Sequence, residues 1–122
     1  MLDSFPGSIR LTPEGTTYFK NLSDSDQTEF TNQLIQEISS IVPVDIDRLK
    51  ITKPYQIDTS TPSEQLIIPL QIKNTRDTSK RNANTLHQDL NIMIQNRDFT
   101  GISTHYHTSF LDAGYGYQLR SN

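Results

Sequence analysis

The chain contains no cysteine. That absence excludes disulfide bridges, thiol nucleophiles and thiolate metal sites, although a domain of 122 residues can close one core without bridges. Tryptophan is missing as well, and so is any excess of positive charge: 11 Lys and Arg stand against 14 Asp and Glu, for a formal net charge of −3. The two signs are interspersed, so there is no footprint for nucleic acid and no polybasic strip for direct membrane contact. No stretch approaches the ~20 apolar residues of a bilayer span. Met1 to Ile9 has neither the basic start nor the apolar run of a signal peptide, so no targeting segment is visible in the chain itself. The five glycines are scattered through loops and tail rather than clustered at the start of a helix, and the Gly-x-Ser-x-Gly elbow does not occur. The serines fall mostly in caps and turns, away from any base with an orienting partner. No enzymatic activity and no cofactor is expected.

What is present is a polar chain, rich in Ile, Asn, Thr, Ser and Gln, whose hydrophobic share of 33% still supplies the aliphatics of a single core. The order of its periodicities is the most informative feature. Ser8 to Thr12 alternates, with Ile9 and Leu11 on one face, until Pro13 and Gly15 interrupt it. Thr16 to Asp26 reads as a connection carrying Tyr18 and Phe19. Phe30, Leu34, Ile35, Ile38, Ile41 and Val42 then mark one helical stripe, which Asp26 with Glu29 caps and Pro43 ends. Asp47 to Lys53 alternates charged and apolar residues, as an edge strand does. After a turn at Thr59 to Glu64, Leu66, Ile68, Leu70 and Ile72 make the most regular alternation in the chain, a buried central strand in which Pro69 predicts a bulge or an unpaired side. Thr78 or Ser79 caps a second helix, with Ala83, Leu86, Leu90, Met93 and Ile94 on its apolar stripe. A final strand is expected from Ile102 to Phe110, and the Gly114 to Leu119 tail either extends it or packs an aromatic clasp across the sheet. The order is β-α-β-β-α-β, in one domain spanning 1–122 with its core at about 8–119.

The helix leading into Val44-Asp45-Ile46-Asp47-Arg48-Leu49-Lys50-Ile51, the regular apolar strand, the second helix and the closing Gly114-Tyr115-Gly116 phrase together resemble SEA and SEA-like domains. The resemblance runs from about Ser8 to Leu119. It implies an α+β fold, a ferredoxin-like βαββαβ two-layer sandwich with a four-stranded antiparallel sheet and two helices on one face. Such domains are known for self-cleavage at a Gly-Ser between the second and third strands. The corresponding place here is Thr61-Pro62-Ser63-Glu64-Gln65-Leu66, which lacks that pair, so the resemblance implies an uncleaved member. It further implies an extracellular or membrane-proximal module, with its signal or anchor in other parts of a larger precursor.

His105-Tyr106-His107 is the sharpest local chemistry, because two strand residues spaced by two share a face and present two imidazoles to one metal. The spacing matches no recognised metal motif, and the reading preferred is a histidine pair on the wet face of the sheet with no metal. His87 belongs at the half-buried edge of the second helix. Asp24-Ser25-Asp26 lacks the acidic and glycine positions of a calcium loop and reads as a helix entrance. Asn21-Leu22-Ser23 is a glycosylation sequon in a predicted loop. A small hydrolase resembling acylphosphatases would need an arginine in a phosphate-binding first loop, whereas Arg10 stands in a strand. The expectation is a non-enzymatic interaction or spacer module with a protein partner. The alternative is a self-assembling protein that associates through a sheet edge or through the open face carrying His105 and His107, weakening below pH ~6.5 as imidazole protonates.

Overall fold

The unbroken apolar alternation from Leu66 to Ile72 becomes the axis of the sheet. A computed structural model describes residues 4–119. Strand β1 (Ser4–Arg10) pairs antiparallel over its whole length with strand β4 (Gln65–Lys73), from Ser4 opposite Lys73 to Arg10 opposite Ile67. On the far flank of β4, two three-residue strands follow one another, β2 (Leu49–Ile51) and β3 (Gln56–Asp58). A short β5 (Gln118–Leu119) adds to the outer side of β1. The sheet is antiparallel throughout, in the order β2-β4-β1-β5 with β3 beside β4. Leu66, Ile68, Leu70 and Ile72 point into the core, with Ile9 of β1 alongside.

The register runs past Pro69, opposite Ser8, without a bulge. The Pro69 carbonyl accepts from the Thr52 N–H at 3.4 Å, so the side of Pro69 that lacks a donor faces away from β1. It opens into the gap between β2, which reaches Leu70, and β3, which begins opposite Ile67. The missing N–H is placed where the ladder has no acceptor for it, which is the unpaired side expected from the sequence.

Three α-helices cover the sheet where two were expected. Helix α1 (Pro13–Lys20) occupies much of the stretch read as a connection. Thr12 caps it, accepting from the Gly15 N–H at 3.0 Å, and proline takes a first-turn position where its missing donor costs nothing. Helix α2 (Asp24–Ile41) buries Phe30, Leu34 and Ile38; its cap is Ser23, which accepts from the Asp26 N–H at 3.2 Å, instead of the Asp26 and Glu29 pair. Helix α3 (Ala83–Gln95) buries Ala83, Leu86, Leu90 and Ile94 and is capped by Asn82 instead of Thr78 or Ser79. The strand expected from Asp47 to Lys53 shrinks to β2, because Ile46–Arg48 forms a 3-10 turn.

The largest correction concerns Ile102 to Phe110, which is no strand. Two 3-10 turns, Gly101–Thr104 and Thr108–Phe110, replace it. Short polar side chains draw the backbone into local bonds: the Thr104 hydroxyl donates to Gly101 O at 2.8 Å and the Thr108 hydroxyl to Ile102 O at 2.6 Å. Within this stretch only Ile102 and Thr108 are buried, whereas a core strand would bury every second residue. The described chain is α+β in the order β-α-α-β-β-β-α-β.

The tail supplies the clasp. Tyr117 is buried over β1, its hydroxyl donating to Leu70 O at 2.5 Å. A Cβ on Gly7 would lie 2.1 Å from the ring carbon Cζ of Tyr117, so glycine is needed there for close approach.

Candidate functional site

The histidine segment lies between the two 3-10 turns. His105 has extended backbone (φ −111°, ψ 145°) and His107 helical backbone (φ −78°, ψ −43°), so the shared face expected of a strand does not exist. His105 Nδ1 donates to Gly101 O at 3.0 Å. His107 turns the other way and pairs through Nδ1 with Glu37 Oε2 on α2. The second carboxylate oxygen, Oε1, accepts from the backbone N–H groups of His107 and Thr108, each at 2.9 Å. Glu37 thus caps the turn at Thr108 and fastens the loop to α2. Neither histidine lies on the sheet, and among the described residues no group of three His, Cys, Asp or Glu could hold a metal ion.

Above this fastening sits a surface patch of rings drawn from three segments. Tyr18 stacks on Phe110 with centroids 5.4 Å apart at 20°. Tyr106 stands edge-on to both, 5.4 Å from Phe110 and 6.0 Å from Tyr18. Buried Phe30 supports them from below, with the His107 ring 5.1 Å away. Tyr18 and Tyr106 stay 38% and 57% exposed, and the neighbouring Tyr18 phenol holds that of Tyr106 above its usual range. Beside them a cleft of about 200 Å³ is walled by Tyr18, Phe30 and His107, with Asp26 and Glu29 at its edge. Tyrosines held on a fixed base offer contact area at low entropic cost, which is why such rings are enriched at protein interfaces.

A second cluster lies on the sheet face opposite the core. Arg10 donates from Nη1 to Asp58 at 2.7 Å, and from Nε and Nη2 to Asp112 at 3.0 and 2.7 Å. Gln65 donates to the same Asp112 oxygen at 2.7 Å and to Leu11 O at 2.9 Å. Ser8 and Tyr115 share a hydrogen bond at 2.7 Å, and the guanidinium lies 4.9 Å from the Tyr115 ring centroid. Hydrogen bonds from the side chain and backbone of Ser60, and then from Arg10, lower Asp58 to about 2. Burial alone would raise Asp112, but hydrogen bonds from Gln65, Arg10 and Gly114 hold it below the usual carboxylate range. Arg10 is therefore a staple joining β1, β3 and the closing loop, with all three guanidinium nitrogens engaged.

The remaining sequence candidates fall as follows. Asn21 is exposed in the turn between α1 and α2, while Ser23 of the same sequon caps α2. His87 is half-buried, its ring stacked on Phe5 at 4.0 Å, and burial lowers its pKa. Asp24 and Asp26 belong to the first turn of α2. Glu37, Asp112 and the aromatic patch were not foreseen. Tyr18, Phe30 and the Tyr106–Phe110 segment lie far apart in the chain and share no common period, so only the fold brings the three together.

These observations define an α+β module with one five-stranded antiparallel sheet, three helices and an exposed aromatic patch. No family model, no curated protein and no solved structure matches the chain.

Proposed function

We propose that this chain is a non-enzymatic interaction or spacer module of the SEA-like kind, one folded unit of a larger secreted or cell-surface protein, which meets a protein partner through Tyr18 and Tyr106. The observation that carries this reading is the aromatic patch, exposed at its surface and fixed beneath by Phe30, Phe110 and the Glu37–His107 pair. A ferredoxin-like relationship is supported by the strand order β2-β4-β1-β5, with α2 between β1 and β2 and α3 between β4 and β5. The extra strand β3 and helix α1 are departures from that plan. An extracellular setting is supported by the surface position of Asn21.

Light scattering over a wide concentration range, on the wild type and on Tyr106→Ala, tests the proposal. A monomer throughout is expected, with both ends of the unit left to neighbouring domains. A defined dimer that Tyr106→Ala disperses would overturn the spacer reading in favour of self-association at the patch. A dimer indifferent to that substitution would point instead to the sheet edge or open face. Expression through a secretory pathway tests the compartment: a glycan that disappears in Asn21→Gln is expected, and a bare Asn21 would remove the sequon as support.

A further inference from the structure

The cleft beside the aromatic patch has rings for walls and carboxylates for a rim. Tyr18, Phe30, His107 and Leu22 line it, and Asp26 and Glu29 stand at its edge. Phe110 takes one face of the Tyr18 ring, and the cleft lies against the remainder. Its volume of about 200 Å³ falls below the ~300–1,000 Å³ of sites for whole small molecules and suits a single long side chain.

Charge at this place is unbalanced. Asp26 and Glu29 are exposed, and among the described residues neither enters an ion pair. Glu29 accepts from the Gln33 amide at 2.8 Å, which leaves its charge in place. No Lys or Arg occurs from 21 to 47 or from 98 to 119, the segments that supply every wall of the cleft except Tyr18. Lys20 of α1 is held by Glu64 at 2.7 Å. His107 is paired with Glu37, so the two together are neutral or negative whichever way the proton lies. The N-terminus of α2 offsets about half a charge, against two full carboxylates. The negative faces of the rings add to the same sign. The occupant that fits is apolar along its length and positive at its end.

On the reading that the aromatic patch is a protein interface, we propose that this cleft takes one arginine or lysine side chain from a basic segment of the partner protein. Its carbon stem lies against Leu22 and Phe30, and its charged end lies over Tyr18 and between Asp26 and Glu29. A guanidinium stacks on rings and presents a fork to carboxylates, so arginine is expected to bind more tightly than lysine.

Backbone amide spectra of the full chain test this, in titrations with short Gly-Ser peptides that have blocked ends and one central arginine, lysine, citrulline or norleucine. Saturable shifts at Leu22, Asp26, Glu29 and His107 are expected from the arginine peptide, with a Kd of about 1–10 mM. Citrulline and norleucine keep the stem and lose the charge, and are expected to bind about tenfold more weakly. Glu29→Gln and Asp26→Asn should each weaken the arginine peptide about threefold, and together about tenfold, while the melting temperature moves by less than about 2 °C. Tyr18→Leu, which keeps an apolar wall and removes the ring, should cost about threefold. The control Asp98→Asn, at a carboxylate 81% exposed and outside the cleft, is expected to change nothing. A loss in Asp98→Asn equal to that in Glu29→Gln would overturn the site. Citrulline and norleucine peptides that bind as tightly as arginine, with shifts at Tyr18 and Tyr106, would leave the patch an interface and overturn its choice of a cation. No saturable shift from any of the four peptides by about 20 mM would overturn both.

Discussion

Replacing Gly7 with Ala is expected to destabilise this protein severely, through one side chain. The new methyl carbon would lie 2.1 Å from Tyr117 Cζ, 2.3 Å from its hydroxyl oxygen and 2.6 Å from Cε1. Ordinary carbon contacts are ~3.5–4.0 Å, so the ring must move by more than 1 Å or leave. It has little room to move, because it is 1% exposed, tied to Leu70 O at 2.5 Å, and flanked by Phe5 and His87. Expelling it forfeits the burial of one large aromatic, about 3–5 kcal/mol by analogy with aromatic truncations. That is a large part of the ~6–18 kcal/mol available to a chain of this length. At ~4 °C per kcal/mol, melting should fall by roughly 12–20 °C. Urea denaturation of Gly7→Ala, Tyr117→Ala and the double variant separates the clash from any backbone effect. Each single variant is expected to lose ~3–5 kcal/mol, and the double variant no more than Tyr117→Ala alone, because the methyl group then meets no ring. Additive losses, or a cost below ~1 kcal/mol for Gly7→Ala, would refute the reasoning.

Three further outcomes are expected from the polar contacts. Glu37→Ala removes the acceptor for two backbone donors and the partner of His107, and should cost about 2–4 kcal/mol in urea denaturation, with faster hydrogen exchange at His107 and Thr108. Asp58 and Asp112 have folded pKa values below their unfolded ones, so the stability they contribute is present above the unfolded carboxylate pKa and lost as pH falls through the folded values, about 2 for Asp58. Denaturation followed across that range should steepen for the wild type and flatten for Asp58→Asn with Asp112→Asn. His87 has a folded pKa lowered by burial, so its contribution is complete above the unfolded value of ~6.5 and falls away as the solution is acidified below it. His87→Phe, which keeps a ring on Phe5, should remove that part of the pH dependence; an unchanged profile would assign it elsewhere.

The parts of the fold that were legible in the sequence are those whose burial is periodic. Phe30, Leu34 and Ile38, then Ala83, Leu86, Leu90 and Ile94, then Leu66 to Ile72 each repeat at the spacing of their element and all reach the core. The segment from Ile102 to Phe110 also alternates by residue position, but its polar members are Ser, Thr and His, whose side chains bond their own backbone instead of marking a wet face. Helix α1 brings only Tyr18 and Phe19 as large apolar residues, too few to trace a stripe, and its start was visible only in Thr12 and Pro13. Arg48 illustrates the same limit from the other side. In Asp47-Arg48-Leu49-Lys50 it reads as one more outward charge beside a buried Leu49, yet the 3-10 turn rotates it inward onto two carbonyls. Function follows the same division. The residues with recognisable chemistry, His105 and His107, separate in space, whereas the positions that converge are Glu37, Tyr18, Tyr106 and Phe110. In this chain periodicity writes the core, and the surfaces able to meet another molecule are assembled by the irregular segments that periodicity does not describe.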